Sequence, residues 1–80
     1  MRLDKYLKVS RIIKRRTVAK DACDGGRVLV NGKAAKAGID IKEDDIIEIQ
    51  YANKSLKYKV LAVAEHVRKE DASKMYEIVG

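Results

Sequence analysis

Leu3, Tyr6, Leu7, Ser10 and Ile13 recur at helical spacing, and this largely apolar stripe predicts a helix from about Leu3 to Ile13. Lys5, Lys8 and Arg11 fall off the stripe. Val9 and Ile12 fall off it too, which predicts a second packing neighbour for this helix. A short basic connector follows, Lys14-Arg15-Arg16, after which Thr17 is placed to cap a second helix by accepting a backbone N–H bond. Val18, Ala19, Ala22 and Cys23 form the expected buried face of that helix. Gly25-Gly26 ends it, because glycine readily takes the left-handed conformation common just past a helix terminus.

Beyond the glycines the period changes from helical to alternating. Val28 and Val30 alternate with Arg27 and Leu29, and Asn31-Gly32 supplies the positive backbone angles of a two-residue hairpin. Lys33 to Lys36 begins the return strand, followed by Ile39, Ile41 and a turn at Glu43-Asp44-Asp45. Ile47, Ile49 and Tyr51 alternate with Glu48 and Gln50, while Leu56, Tyr58 and Val60 alternate with Lys57 and Lys59. These read as two half-buried antiparallel strands joined through Ala52-Asn53-Lys54. In the tail, Ala72, Met75, Tyr76 and Val79 return to helical spacing behind an acidic start at Glu70-Asp71, predicting a short C-terminal helix. The fold class is α+β: two N-terminal helices packed on a small, mostly antiparallel sheet, with a short C-terminal helix. With no proline, repeat or linker, residues 1–80 read as a single domain.

Length and composition narrow what such a domain can be. A chain of this size buries roughly 60–65% of its unfolded surface, so one modest core is its limit and a catalytic domain of ordinary size does not fit beside it. The 38% of residues that are charged must lie mainly on the surface, because burying unpaired charge is costly. The lone cysteine, Cys23, cannot form an internal disulfide and reads as a buried, inert thiol. One Cys and one His make no metal site of the usual kind, and no cofactor is implied. The N-terminus lacks the apolar core of a signal peptide, and Val60 to Ala64 is far short of a membrane span, so the expected compartment is the cytoplasm and no membrane partner is expected.

Charge then supplies the functional signal. Residues 1–36 carry eleven Lys/Arg against three Asp/Glu, whereas residues 37–80 carry seven against nine. The cations Arg2, Lys5, Lys8, Arg11, Lys14, Arg15, Arg16 and Lys20 line the helical region, and the second helix adds unsatisfied N–H groups at its start. Together they suit the phosphate backbone of a nucleic acid better than a merely solvated face. Asp4 is the one acid among the first twenty residues. It can pair with Lys8 one turn on, or orient Arg11 or Arg16 so that a planar guanidinium meets RNA already positioned. Arg27 and Lys33 flank the hairpin and extend the basic surface. His66 reads as a surface histidine, and all four tyrosines fall on apolar stripes, which assigns them to the core and leaves no base-stacking sheet. Recognition is expected to rest on shape and phosphate contacts.

These residues resemble the RNA-binding domain family named after small-subunit ribosomal protein four, the S-four domain. The matching frame is Arg2-Leu3-Asp4-Lys5-Tyr6-Leu7, Arg11, Arg16, Ala19, Gly26-Arg27-Val28-Leu29-Val30-Asn31-Gly32 and Asp45-Ile46-Ile47, covering about residues 1–50. Within the family the connector Lys14-Arg15-Arg16-Thr17 and the ending Asp71-Ala72-Ser73-Lys74-Met75-Tyr76 are similar to the bacterial ribosome-quality-control branch. The related heat-shock branch usually carries a longer basic tail. The resemblance implies a monomeric, non-catalytic factor on a large ribosomal subunit obstructed by peptidyl-tRNA. Such a factor holds the tRNA against ribosomal RNA while quality-control factor H directs addition of a C-terminal alanine tail. It also implies that Arg2, Arg11 and Arg16, with Asp4 beside them, face RNA. The competing readings are a heat-shock-type handler of peptidyl-tRNA, the RNA-binding module of an RNA-modifying enzyme, and a permanent ribosomal protein.

Overall fold

The first helix needs its N-terminal N–H groups satisfied, and the chain does this with backbone from far along the sequence. In the computed structural model, which describes all residues from Met1 to Gly80, helix α1 spans Leu3–Val9. The N–H groups of Leu3 and Asp4 donate to the carbonyls of Ile39 and Ala37, at 2.9 and 3.1 Å. That use of the segment explains why the return strand is short. Strand β2 is only Lys33–Ala34; after a last bond from the Ala35 N–H to the Val28 carbonyl at 3.0 Å the backbone leaves the ladder, burying Ala35, Ala37 and Ile41 while Ile39 stays exposed.

Helix α1 ends earlier than the predicted Ile13. Ser10 is buried and turns its hydroxyl onto the Leu7 carbonyl at 3.3 Å, Arg11 takes a left-handed φ of 63°, and the Ile13 N–H closes on Leu7 at 3.0 Å. The stop resembles the usual left-handed helix ending, with an arginine where glycine is favoured. Helix α2, Arg16–Asp24, begins one residue before the expected cap, so Thr17 lies inside the helix and caps nothing; Arg15 is the N-cap and offers no side-chain bond. Its buried face is Ala19, Ala22 and Cys23, small residues that allow close approach, while Val18 stands 49% exposed at the flank, against expectation.

The sheet has the order β2-β1-β3-β4-β5 with every pair antiparallel. Strand β1, Val28–Val30, turns into β2 through Asn31 and Gly32, whose φ values of 52° and 86° give the predicted two-residue hairpin. Asn31 also locks that tip to the start of β3: its amide donates to the buried Asp45 at 3.1 Å, and its carbonyl oxygen accepts the Ile46 N–H at 3.0 Å. Strands β3, Ile46–Gln50, and β4, Ser55–Val60, pair in the alternating register expected, with Ile47, Ile49, Tyr58 and Val60 inward. Tyr51 falls beyond β3 in the turn and is 42% exposed, which removes it from the expected core.

The tail departs most from expectation. A 3-10 helix covers Lys69–Met75, but Tyr76–Ile78 forms strand β5 on the edge of β4, pairing Val60 with Tyr76 and Tyr58 with Ile78. Strand pairing wins over another helical turn because it covers the edge of β4, which a helix would leave unpaired, and sets Tyr76 against Tyr58. Tyr76 and Val79 therefore leave the helix, and Tyr76 packs edge-on against Tyr58 with centroids 5.3 Å apart. The Tyr6 hydroxyl donates to the Met75 carbonyl at 2.8 Å, tying α1 to the tail through the core. Burial holds that phenol well above its ordinary pKa. No helix is long and apolar enough to cross a membrane.

Candidate nucleic-acid interface

Two basic groupings arise where α1, the connector and α2 meet. The first is built on Asp4 in the opening turn of α1, whose side chain is 3% exposed. It accepts the Arg2 Nε at 3.1 Å, the Arg16 Nε at 3.2 Å and the Lys5 backbone N–H at 2.9 Å. Burial pushes its carboxyl pKa up. The two guanidinium bonds, the Arg16 charge and the Lys5 N–H together outweigh that and hold it below its ordinary 3.8. Both arginines remain about half exposed, at 53% and 48%. Because each binds Asp4 through Nε, its two terminal amino groups stay free for a fork-shaped contact with a phosphate. Asp4 thus orients Arg16, as one of the two sequence readings held, and Arg2 joins it; neither Lys8 nor Arg11 pairs with Asp4.

The second grouping lines a cleft of about 300 Å3 formed by Lys8, Arg11 and Lys14 with Val9, Glu65, His66 and Val67. Lys5 faces this side as well, with its ammonium on Glu65, an ion pair that pulls the Glu65 carboxyl below its usual range. His66 and Glu65 were not among the expected site residues. No local signal marks them, since only the path of the chain after β4 brings them to α1.

The remaining candidates separate. Arg15 and Lys20 are exposed on α2, at its N-cap and mid-helix, and the first-turn N–H groups there have no side-chain cap. Arg27 follows Gly26, which has a φ of 79°, and borders an apolar groove with Ile12, Ile13, Val18 and Tyr51. Lys33 lies at the sheet edge in a groove with Asp40, Lys42 and Asp45 that shares no residue with the basic cleft. Cys23 is buried, and burial first, then the Asp4 and Asp24 charges, push its thiol up to about 11. No group of three or more His, Cys, Asp or Glu side chains is placed to hold a metal ion.

Residues 1–47 match the S4 domain family. Among curated proteins, the RQC P-site tRNA stabilizing factor of Streptococcus pneumoniae is 60% identical over 80 residues, covering all of this chain and 91% of that protein. The factor of the same name from Halalkalibacterium halodurans is 54% identical over 78 residues, covering 98% and 89%. Among solved structures, the trimeric structure of Vibrio cholerae Heat Shock Protein 15 superposes with a TM-score of 0.90 at 25% identity, over 99% of this chain and 81% of that one. The chain belongs to the S4 domain family of RNA-binding proteins, as a relative of the RQC P-site tRNA stabilizing factors.

Proposed function

We propose that this protein is a single-domain, monomeric and non-catalytic cytoplasmic factor that binds the large ribosomal subunit obstructed by peptidyl-tRNA. There it holds that tRNA against ribosomal RNA and supports C-terminal alanine tailing of the stalled chain with quality-control factor H. The observation that carries this reading is the Asp4-anchored pair Arg2–Arg16, two guanidinium groups fixed by a buried carboxylate with their outer donors free. The names of the relatives, P-site tRNA stabilizing factors, support the tRNA-holding part of it. Fixing a tRNA in one orientation removes an entropic barrier that would otherwise fall on the chemical step, so a chain without catalytic side chains can still be required for a covalent outcome.

The test is complementation of a deletion strain with wild-type or Arg16→Ala protein, reading alanine tails on a reporter translated from a message without a stop codon. Tails are expected with wild type, and neither in the deletion nor with Arg16→Ala. Likeness to the heat-shock protein structure supports a second reading, a handler of peptidyl-tRNA outside the tailing process. Tails that persist in the deletion strain would refute the tailing role and leave the second reading as the better one.

A further inference from the structure

The family match ends at residue 47, yet the basic cleft is completed from beyond it. After β4 the chain runs irregularly from Leu61 to Arg68 and is held at three places. The N–H groups of Leu61 and Ala62 donate to the Met75 carbonyl, Glu65 pairs with Lys5 on α1, and Val67 packs on the core. This anchoring sets exposed His66 opposite Lys8, Arg11 and Lys14. None of those three cations has a carboxylate within ion-pair distance, and the one acid in the cleft, Glu65, is already engaged by Lys5. Arg11 moreover holds a φ of 63°, a conformation that costs an ordinary L-residue about 1–2 kcal/mol and that glycine takes freely. An arginine at the position glycine would favour points to a use for its side chain.

We propose that Lys8, Arg11, Lys14 and His66 form a second phosphate site, which binds the RNA backbone and makes the segment after β4 part of the recognition surface. The proposal rests on the RNA-binding reading above. A polynucleotide is favoured over a small anion because the connector runs from Lys14 directly into Arg16, so one sugar-phosphate strand can pass from this cleft to the Asp4-anchored arginines. Three uncompensated cations beside an imidazole, with all four side chains able to donate hydrogen bonds, suit phosphodiester oxygens.

The experiment measures binding of the full chain to large subunits carrying peptidyl-tRNA and to a short RNA hairpin across a salt series, with inorganic phosphate at matched phosphate concentration as the small-anion arm. The variants are Arg11→Gly, His66→Ala, Arg16→Ala and the control Lys57→Ala. Arg11→Gly is expected to melt no lower than wild type while binding about tenfold more weakly, with the salt slope shallower by about one. His66→Ala should weaken binding about two- to tenfold. Wild-type binding that is lowered by Arg16→Ala but untouched by Arg11→Gly and His66→Ala would overturn the second site and leave the RNA-binding reading intact. Absence of any wild-type binding would overturn both. Inorganic phosphate that saturates the Lys14 and His66 resonances in NMR spectra as tightly as the hairpin does would make the cleft a small-anion site and overturn the RNA assignment.

Discussion

The two basic groupings on this protein solve opposite problems. Around Asp4, two arginines have an internal counter-ion, so their heads are fixed before any ligand arrives and part of their positive charge is already neutralised. In the cleft, Lys8, Arg11 and Lys14 keep their full charge with no partner to orient them. The first arrangement favours geometric selection of a phosphate, since little side-chain entropy remains to be lost on binding. The second favours attraction, which is longer in range and more sensitive to salt. The two groupings in this way separate steering from positioning.

Salt tests that division with the largest effect. If about four to six phosphates are contacted, log affinity for large subunits should fall against log salt with a slope of roughly −3 to −5, a loss of about 10²- to 10³-fold between 50 and 200 mM. A slope near −1, about one phosphate contact, would overturn the basic surface as the binding site. Next in size is Arg16→Ala. Losing a charged, pre-oriented contact should remove on the order of 1.5–3 kcal/mol of association, with Arg2→Ala following the same direction less strongly. Lys57→Ala, an exposed position on β4, serves as the control, and equal losses in all three would show that net charge alone matters.

Smaller again is Asp4→Ala, which should cost about 1–2 kcal/mol of stability in urea titrations. Its arginine partners are half exposed and can rehydrate, which keeps the penalty below that of a fully buried pair. It should also weaken binding without removing a cation, an outcome a pure-charge account does not allow. The same carboxylate sets a pH signature. Its folded pKa lies below 3.8, so its contribution is complete at neutral pH and is lost as pH falls below about 4, through the folded value. Stability measured from pH 8 to 5.5 should therefore be flat with respect to Asp4, and the difference between wild type and Asp4→Ala should shrink in acid.

Cys23 gives the smallest effect and a check on the others. With its thiol buried and its pKa pushed up to about 11, it should resist iodoacetamide at pH 8 in wild type and in Arg16→Ala alike. Rapid labelling of Arg16→Ala would reveal a lost fold behind its lost binding.

What the sequence determined by itself were the features written in neighbouring residues. The stripe through Leu3, Tyr6 and Leu7, the small face of Ala19, Ala22 and Cys23, the Asn31-Gly32 hairpin and the alternation of β3 and β4 all depend on local period and turn chemistry, which fix backbone conformation and one buried face. The cationic N-terminal region was legible for the same reason, and Asp4 stood out as its single early acid. Only the tertiary structure decided where α1 stops, because Ser10 and Arg11 turn to bring α2 onto it. It alone turned Tyr76–Ile78 from an expected helix into a strand, because the partner that rewards that conformation, the free edge of β4, is remote in sequence. It alone placed Glu65 and His66 beside α1, by an ion pair spanning sixty residues between Lys5 and Glu65. Contacts of that kind leave no periodic trace, since their energy comes from groups that only the folded chain brings together.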